Sequence, residues 1–280
     1  MSAGGCRTAE DEEFEEADAI LAELRRRAAT GESDLPWGGE VERVWGADGA
    51  LRLTRAYEAT GPGGSVRLRL REFPYSAHPC SGVTGTGGVV WAGALALAEL
   101  LQERRAELLG GRARVLEIGA GCGLSGLVAA ALAGGDSEVL LTDESEAVLE
   151  NLRHNAAANA EGLAARVEVA RLAWEEVLDG AALPPMEAAD LLLGSDVIWG
   201  DRGRLVGRLA RRLVRPGGCL VITAQEGREG LGIFQEVIGR PCDPEAGDEG
   251  AGPPFDVVRS SAVVADESLL HFVCRRRAAD

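Results

Sequence analysis

The chain has 280 residues, of which 46% are hydrophobic, enough for one large domain or two small ones with a substantial core. Its formal net charge of −16 argues against nucleic acid as the main partner, because affinity for phosphates depends on Lys and Arg. This charge favours a basic protein or another cationic group as the partner.

The cysteine pattern and the chain ends indicate a compartment. Six scattered cysteines form neither a CxxC pair nor a Cys/His cluster, which is typical of reduced intracellular thiols and predicts neither disulfides nor a metal site. The first residues are acidic where a signal peptide is basic and then apolar. No uninterrupted apolar run reaches about 18 residues, so we expect no membrane span. We therefore predict a cytoplasmic protein, with the nucleus as a second location, and leave the oligomeric state open.

All 29 basic residues are arginines. A Walker-type phosphate loop, a pyridoxal Schiff base and a Ser-Lys dyad each require a lysine. These three kinds of site are therefore excluded.

Residues 1–86 are predicted to form a small N-terminal module. Residues 9–30 have the spacing of an amphipathic helix, with acids at its start and arginines at its end. Two β-like runs, 51–59 and 65–73, flank Gly- and Pro-containing turn residues. They predict a β-hairpin.

Residues 87–280 are predicted to form the main domain, in which helices and strands alternate. The predicted helices span 91–107, 124–134, 145–158, 202–214 and 230–238, and the strands 113–118, 138–142, 166–170, 190–194 and 219–224. This alternation predicts a doubly wound, mostly parallel, Rossmann-like sheet. Two final runs, 255–264 and 268–275, have no helix between them and should pair antiparallel at one edge, which gives seven strands. An acidic Pro/Gly loop, 241–254, precedes them.

The stretch VLEIGAGCGLSGLVAA, 115–130, combines a strand, a tight glycine loop and the start of a helix. A GxGxxG pattern beginning at Gly121 fits the dinucleotide fingerprint, but alone it is weak. An ExGxGxG pattern in the same stretch resembles motif I of the class I methyltransferases, which use S-adenosylmethionine. In that motif the loop wraps the methionine part of the cofactor and the acid helps to hold its amino group. Its residues here are Glu117, Gly119, Gly121 and Gly123.

A second acid supports a nucleoside ligand. The apolar strand VLLTD, 139–143, ends in Asp143, 20 residues after Gly123, where an acid accepts hydrogen bonds from both ribose hydroxyls. The alternative is that Asp143 only caps the helix that begins near Ser145.

Four further segments resemble the family-16 group of seven-β-strand protein-lysine methyltransferases, and the resemblance extends from about residue 50 to the C-terminus. They are GGVVWAGALALAELL (87–101), LENLRHNAAAN (149–159), VEVARLAWEE (167–176) and DLLLGSDVIW (190–199). The resemblance implies S-adenosyl-L-methionine as the cofactor and a lysine side chain of a protein as the acceptor. It adds Trp91, Trp174 and Ser195 to the cofactor-binding residues, with Trp174 beside the adenine.

Several of these residues have structural alternatives. Trp91 and Trp174 could instead be buried core residues. Asn151 and Asn155 are markers of the resemblance that could face solvent. Arg228 follows strand 219–224 and could face the substrate cleft or only solvent, of which we expect solvent.

The end of strand 190–194 carries the candidate catalytic residues Asp196 and Trp199. Ligands of open α/β sheets bind outside the carboxyl ends of the strands, so Asp196 should lie near the transferable methyl group. We expect it to capture and orient a cationic acceptor rather than act as a strong base. Trp199 stands where the family signature Asp-x-x-Tyr has tyrosine, which keeps an aromatic wall but loses the hydroxyl. The structural alternative is a helix cap plus a core tryptophan.

Three other functions remain open at this point. The acceptor could be arginine or a small-molecule amine. The protein could be a non-catalytic, cofactor-binding interaction module. A nicotinamide-dependent oxidoreductase is disfavoured by Glu117 and by the lack of a recognisable hydride-transfer site.

Overall fold

A computed structural model describes residues 41–45, 51–61, 64–75, 86–111, 113–180, 186, 188–239, 255–264 and 267–278. The predicted N-terminal helix at 9–30 and the predicted loop at 241–254 lie outside these residues.

The described strands form two sheets. A three-stranded antiparallel sheet consists of β1 (Val41–Trp45), β2 (Leu51–Gly61) and β3 (Gly64–Tyr75). The second sheet contains β4 (Arg114–Glu117), β5 (Glu138–Asp143), β6 (Arg166–Arg171), β7 (Ala189–Ser195), β8 (Val214–Gln225), β9 (Phe255–Val264) and β10 (Glu267–Arg276). Its order is β6-β5-β4-β7-β8-β10-β9. Strands β4 to β8 pair in parallel, while β10 is antiparallel to both β8 and β9, so the predicted fold class and the antiparallel edge are confirmed.

Seven α-helices are found in the described part of the chain. They are α1 (Ala92–Glu103), α2 (Arg105–Leu108), α3 (Leu124–Leu132), α4 (Glu146–Asn159), α5 (Trp174–Leu178), α6 (Arg202–Leu213) and α7 (Leu231–Gly239). The predicted helix 91–107 is interrupted at Arg104. Helix α5 was not predicted, because five residues are too short to show a helical period. None of the helices among the described residues is both long enough and apolar enough to cross a membrane.

The central sheet is covered on both faces. Leu191 and Leu193 pack into one hydrophobic cluster with α1, α3 and α4, while Leu192 packs into a second cluster with α6 and α7. Successive side chains of a strand point to opposite faces, so a strand covered on both sides is apolar throughout. The apolar run of β7 is therefore explained by burial on both faces.

The hairpin β2–β3 is docked on the main domain by asparagines. Asn155 accepts a hydrogen bond from the Arg71 N–H (2.8 Å) and donates to the Arg71 carbonyl (3.1 Å). Asn159 makes the same pair of bonds with Arg69, both at 2.8 Å. The solvent-facing alternative is wrong for Asn151 and Asn155, which are 2% and 0% exposed. These amides satisfy backbone groups of β3 as a neighbouring strand would.

The same hairpin contributes apolar side chains to the main core. Leu68 and Leu70 of β3 are fully buried in the cluster that contains α1 and α3. Glu72, 1% exposed, forms an ion pair with Arg55 (2.8 Å) and accepts a hydrogen bond from the Val90 N–H (3.0 Å). The hairpin therefore supports the segment that leads into α1. The predicted domain boundary at residue 86 stays a prediction.

We expect Asn155→Leu to lower the free energy of unfolding by about 2–4 kcal/mol, because it leaves the Arg71 N–H and the buried Cys122 carbonyl without this hydrogen-bond partner. His154→Ala changes an exposed neighbour on α4 and is the control, with an effect of at most about 0.5 kcal/mol. Urea unfolding measures both. Equal unfolding midpoints for the two variants would contradict the docking role.

Candidate active site

The glycine loop between β4 and α3 adopts a conformation that requires glycine. Gly119 and Gly123 have φ of +58° and +86°, in the left-handed region. A Cβ at Gly119 would lie 2.8 Å from Val197 Cγ1, and one at Gly123 would lie 2.4 Å from Leu152 Cδ1. The Ala120 N–H donates to the Thr142 carbonyl (2.8 Å) and fixes the loop against β5. The loop is thus packed tightly at its glycines and held in place against β5.

The side chain of Glu117 lies beneath this loop. It is 1% exposed and accepts a hydrogen bond from the Gly126 N–H (3.0 Å) near the start of α3. Burial raises the pKa of Glu117 to about 8, against the opposing effect of that N–H. The carboxyl group therefore braces the loop and is largely protonated at pH 7. Its predicted contact with the cofactor's amino group stays a prediction.

Asp143 binds both the segment before α4 and the glycine loop. Its Oδ1 accepts from the Ser145 N–H (3.1 Å) before α4, and its Oδ2 accepts from the Gly121 N–H (3.2 Å) in the glycine loop. Burial raises the pKa of Asp143, while the N–H groups of Ser145, Gly121 and Glu144 and the charge of Arg202 lower it. The side chain is partly exposed, and its carboxylate retains acceptor capacity for ribose hydroxyls.

The segment before α1 lies against the loop from the other side. The Gly87 carbonyl oxygen is 3.2 Å from the position of a Cβ at Gly121 and accepts from the Cys122 thiol at 3.7 Å. Trp91, the N-cap residue of α1, is partly exposed, and its indole N–H donates to the Thr86 carbonyl (2.8 Å). Trp91 therefore holds residues 86–91 together beside the loop through this hydrogen bond. Its contact with the cofactor stays a prediction.

Asp196 follows β7, next to the strand that carries the glycine loop. Its φ is +52°, a left-handed value that Asp tolerates better than most residues. Its Oδ2 accepts a hydrogen bond from the Gly93 N–H (3.0 Å) in the first turn of α1. The structural alternative thus holds in part, because Asp196 does cap a helix. That helix is α1, 103 residues earlier in the chain.

Two further charged residues lie beside Asp196. Burial raises the pKa of Asp196, and Arg228 together with the N–H groups of Gly93 and Gln225 lowers it. Burial and the nearby Asp196 raise the pKa of Glu267, and Arg228 lowers it. Arg228 is partly buried and donates to Gln225 Oε1 (2.6 Å), so the expectation that it lies in solvent is wrong. Asp196, Arg228 and Glu267 form a charged group that we call the acceptor cluster.

Sequence reasoning missed Glu267 and Arg202. Glu267 reaches Asp196 only because β10 returns antiparallel beside β8, which no local motif shows. Arg202 is the first residue of α6, where the helix dipole disfavours a cation. That misplaced charge was a signal that something else in the fold holds the side chain.

The two tryptophans of the site meet at Arg202. Its Cζ lies 5.5 Å from the ring centre of Trp174 and 5.5 Å from that of Trp199. Trp174 is 8% exposed, and its Cζ2 is 3.6 Å from the position of a Cβ at Gly119. Trp174 is therefore beside the glycine loop, and it also packs in a buried hydrophobic cluster, so its core alternative holds in part. The contact of Trp174 with the adenine stays a prediction. Ser195 is partly buried at the end of β7, and its contact with the cofactor also stays a prediction.

Comparison with known proteins identifies the family. The sequence model of the lysine methyltransferase family matches residues 80–232, more than half of the chain. The chain belongs to this family. Membership makes S-adenosyl-L-methionine the cofactor and removes the nicotinamide-dependent alternative.

Similar proteins agree with this assignment. Protein N-lysine methyltransferase METTL21A of Danio rerio is 40% identical over 116 residues, which are 41% of this chain and 49% of that protein. Histone-arginine methyltransferase METTL23 of Xenopus laevis is 39% identical over 116 residues, 40% of this chain and 45% of that protein. The chain thus spans about half the length of the curated relatives it matches.

A solved structure supports the fold. The T. Thermophilus 16S rRNA methyltransferase RsmC, in complex with AdoMet and guanosine, superposes with a TM-score of 0.51 at 20% identity. The match covers 92% of this chain and 63% of that chain. At this identity the likeness shows the fold alone.

The residues of the site fit S-adenosyl-L-methionine. Gly119, Gly121 and Gly123 leave the loop without a side chain at every second position, and Asp143 offers a partly exposed carboxylate at the end of β5. Trp174 adds an aromatic surface next to Gly119. These residues would hold the cofactor, with Glu117 bracing the loop from below.

We expect Glu117→Gln to retain cofactor affinity within about threefold, because the amide keeps an acceptor for the Gly126 N–H and resembles the protonated acid. Glu117→Ala removes that acceptor and leaves a cavity, so it should weaken binding by about tenfold or more. Isothermal titration calorimetry with S-adenosylmethionine measures both. A loss of about a hundredfold in Glu117→Gln would show instead that this carboxylate binds the cofactor's amino group directly.

Proposed function

We propose that the protein is an S-adenosylmethionine-dependent methyltransferase that methylates a lysine side chain of a protein substrate. One observation carries the proposal: Asp196, held at the end of β7 by the Gly93 N–H, lies one strand from the glycine loop. Membership of the lysine methyltransferase family and the similarity to METTL21A support it.

The acceptor cluster suits a cationic side chain that must lose a proton before it reacts. When bound, S-adenosylmethionine supplies a methyl group on a positively charged sulfur. A lysine arrives as an ammonium without a lone pair, since its ordinary pKa is about 10.4. The Asp196 carboxylate attracts this cation and orients it, because one of its oxygens is fixed by Gly93.

Arg228 offsets the disadvantage of a carboxylate at this position. A carboxylate stabilises the ammonium form, whereas a nearby cation favours loss of its proton. Arg228 lies beside both Asp196 and Glu267 and can supply that second effect. Asp196 is therefore an orienting group, and the proton leaves to water.

The substrate we propose is a basic segment of a protein. The net charge of −16 and the two carboxylates of the acceptor cluster would attract such a segment and disfavour nucleic acid. A cytoplasmic location, with the nucleus second, stays a prediction from the cysteine pattern.

Arginine is the second candidate acceptor. The observation that favours it is the similarity to METTL23, a histone-arginine methyltransferase. A guanidinium would also be attracted by Asp196 and Glu267, and a planar cation can pair with a carboxylate in a bidentate manner.

Labelled S-adenosylmethionine added to a cell lysate with the purified protein tests the function. We expect a discrete protein band to become labelled, and mass spectrometry to locate the methyl group on lysine. Because the chain contains no lysine, lysine automethylation cannot produce this result. Label on arginine would support the second candidate, label confined to small metabolites would indicate a small-amine substrate, and no label would support the non-catalytic module.

We expect Asp196→Asn to lower the rate of transfer by about 100-fold or more, because the charge that orients the acceptor is removed. Asparagine also tolerates positive φ and can accept the hydrogen bond from the Gly93 N–H, so the variant should fold. Its cofactor affinity should stay within about threefold of the wild type. Single-turnover transfer and calorimetry separate the two effects. A parallel loss of cofactor affinity would show that Asp196 serves the cofactor site instead.

A further inference from the structure

A guanidinium lies between two indoles at the edge of the cofactor site. The Cζ of Arg202 is 5.5 Å from both the Trp174 and the Trp199 ring centres. Each such contact is attractive, and more so when it is shielded from water. Two contacts can therefore hold the side chain at the start of α6, where the helix dipole repels it.

The charge of the same guanidinium acts on Asp143. Its charge is among the influences that lower the pKa of this carboxyl group, against the larger effect of burial. Trp174 connects Arg202 with the glycine loop, because its ring lies against Gly119 and Arg202 lies over one face of that ring. The layer Trp174–Arg202–Trp199 thus adjoins the end of β5 and the glycine loop.

Two acidic groups near Asp143, Glu117 and Cys122, carry little charge near pH 7. Glu117, on β4, has its pKa raised to about 8 by burial. Burial also raises the pKa of the Cys122 thiol, in the glycine loop, well above its usual range. Arg171, the register partner of Asp143 on β6, is ion-paired with Glu176. Arg202 is therefore the cation whose charge acts on Asp143.

We propose that Arg202 is a positioning residue of the cofactor site, held between Trp174 and Trp199 so that its guanidinium complements Asp143 when the cofactor's ribose is bound. Trp199 then serves the cofactor through Arg202 and is not a wall of the acceptor channel. The proposal rests on the cofactor-binding part of the proposed function and is independent of the acceptor.

The proposal predicts in which direction cofactor affinity changes with pH. Asp143 accepts hydrogen bonds from the ribose best as a carboxylate, and loss of Arg202 raises its pKa further. Cofactor affinity should therefore fall as the pH is lowered, and the fall should begin at a higher pH in a variant without Arg202 than in the wild type.

Calorimetry with S-adenosylmethionine tests this directly. We expect Arg202→Met to weaken binding by about 3–10-fold near pH 7, and by more at lower pH. Trp199→Leu should weaken binding to a similar extent, and the double variant should be little weaker than either single one because both act on one contact. Trp199→Phe, which keeps a ring for the guanidinium, should recover most of the affinity.

Arg204→Met is the matched control, because it removes an exposed arginine from the same helix and should leave the affinity and its pH profile unchanged. Circular dichroism checks that each variant is folded. Wild-type affinity in Arg202→Met, tighter binding in it, or additive losses in the double variant would overturn the proposal. Failure of the wild type itself to bind S-adenosylmethionine would instead overturn the proposed function, so the two failures are distinguishable.

Discussion

One hydrogen bond, from the Gly93 N–H to the Asp196 carboxylate, joins the two parts of the candidate active site. A side chain at position 93 would displace the Asp196 carboxylate, since a Cβ there would lie 2.2 Å from Asp196 Oδ2. The bond connects the start of α1 to the end of β7. It therefore fixes the segment that lies against the glycine loop and, at the same time, the carboxylate that we propose orients the acceptor. Positive φ at Asp196 and a missing side chain at position 93 are the structural requirements of this single contact.

The N-terminal hairpin belongs to the same scaffold. Asn155 donates to the Arg71 carbonyl of β3 and also to the Cys122 carbonyl of the glycine loop, at 3.1 and 3.0 Å. One buried amide thus bridges the hairpin and the loop. Glu72 supports the segment before α1 from the same side through the Val90 N–H. The described residues of the hairpin therefore support the glycine loop and the segment before α1.

Local patterns determined what the sequence could predict. The apolar run ending in Asp196 and the loop from Glu117 to Gly123 follow from strand burial and glycine spacing, and both lie where they were expected. The partners of Asn155, Arg202 and Glu267 could not be found in this way, because each contact joins elements distant in sequence. Glu117 shows a further limit: its motif indicates a ligand-binding acid, but burial decides whether that acid is charged.

A crystal structure with S-adenosylhomocysteine and a lysine peptide would test the central claim most directly. The claim is that Asp196 binds the start of α1 and the acceptor at once. We expect one carboxylate oxygen to remain on the Gly93 N–H while the other faces the lysine amine. A structure in which Asp196 stays on Gly93 but the lysine enters elsewhere, or in which Asp196 leaves Gly93 to reach the amine, would contradict it.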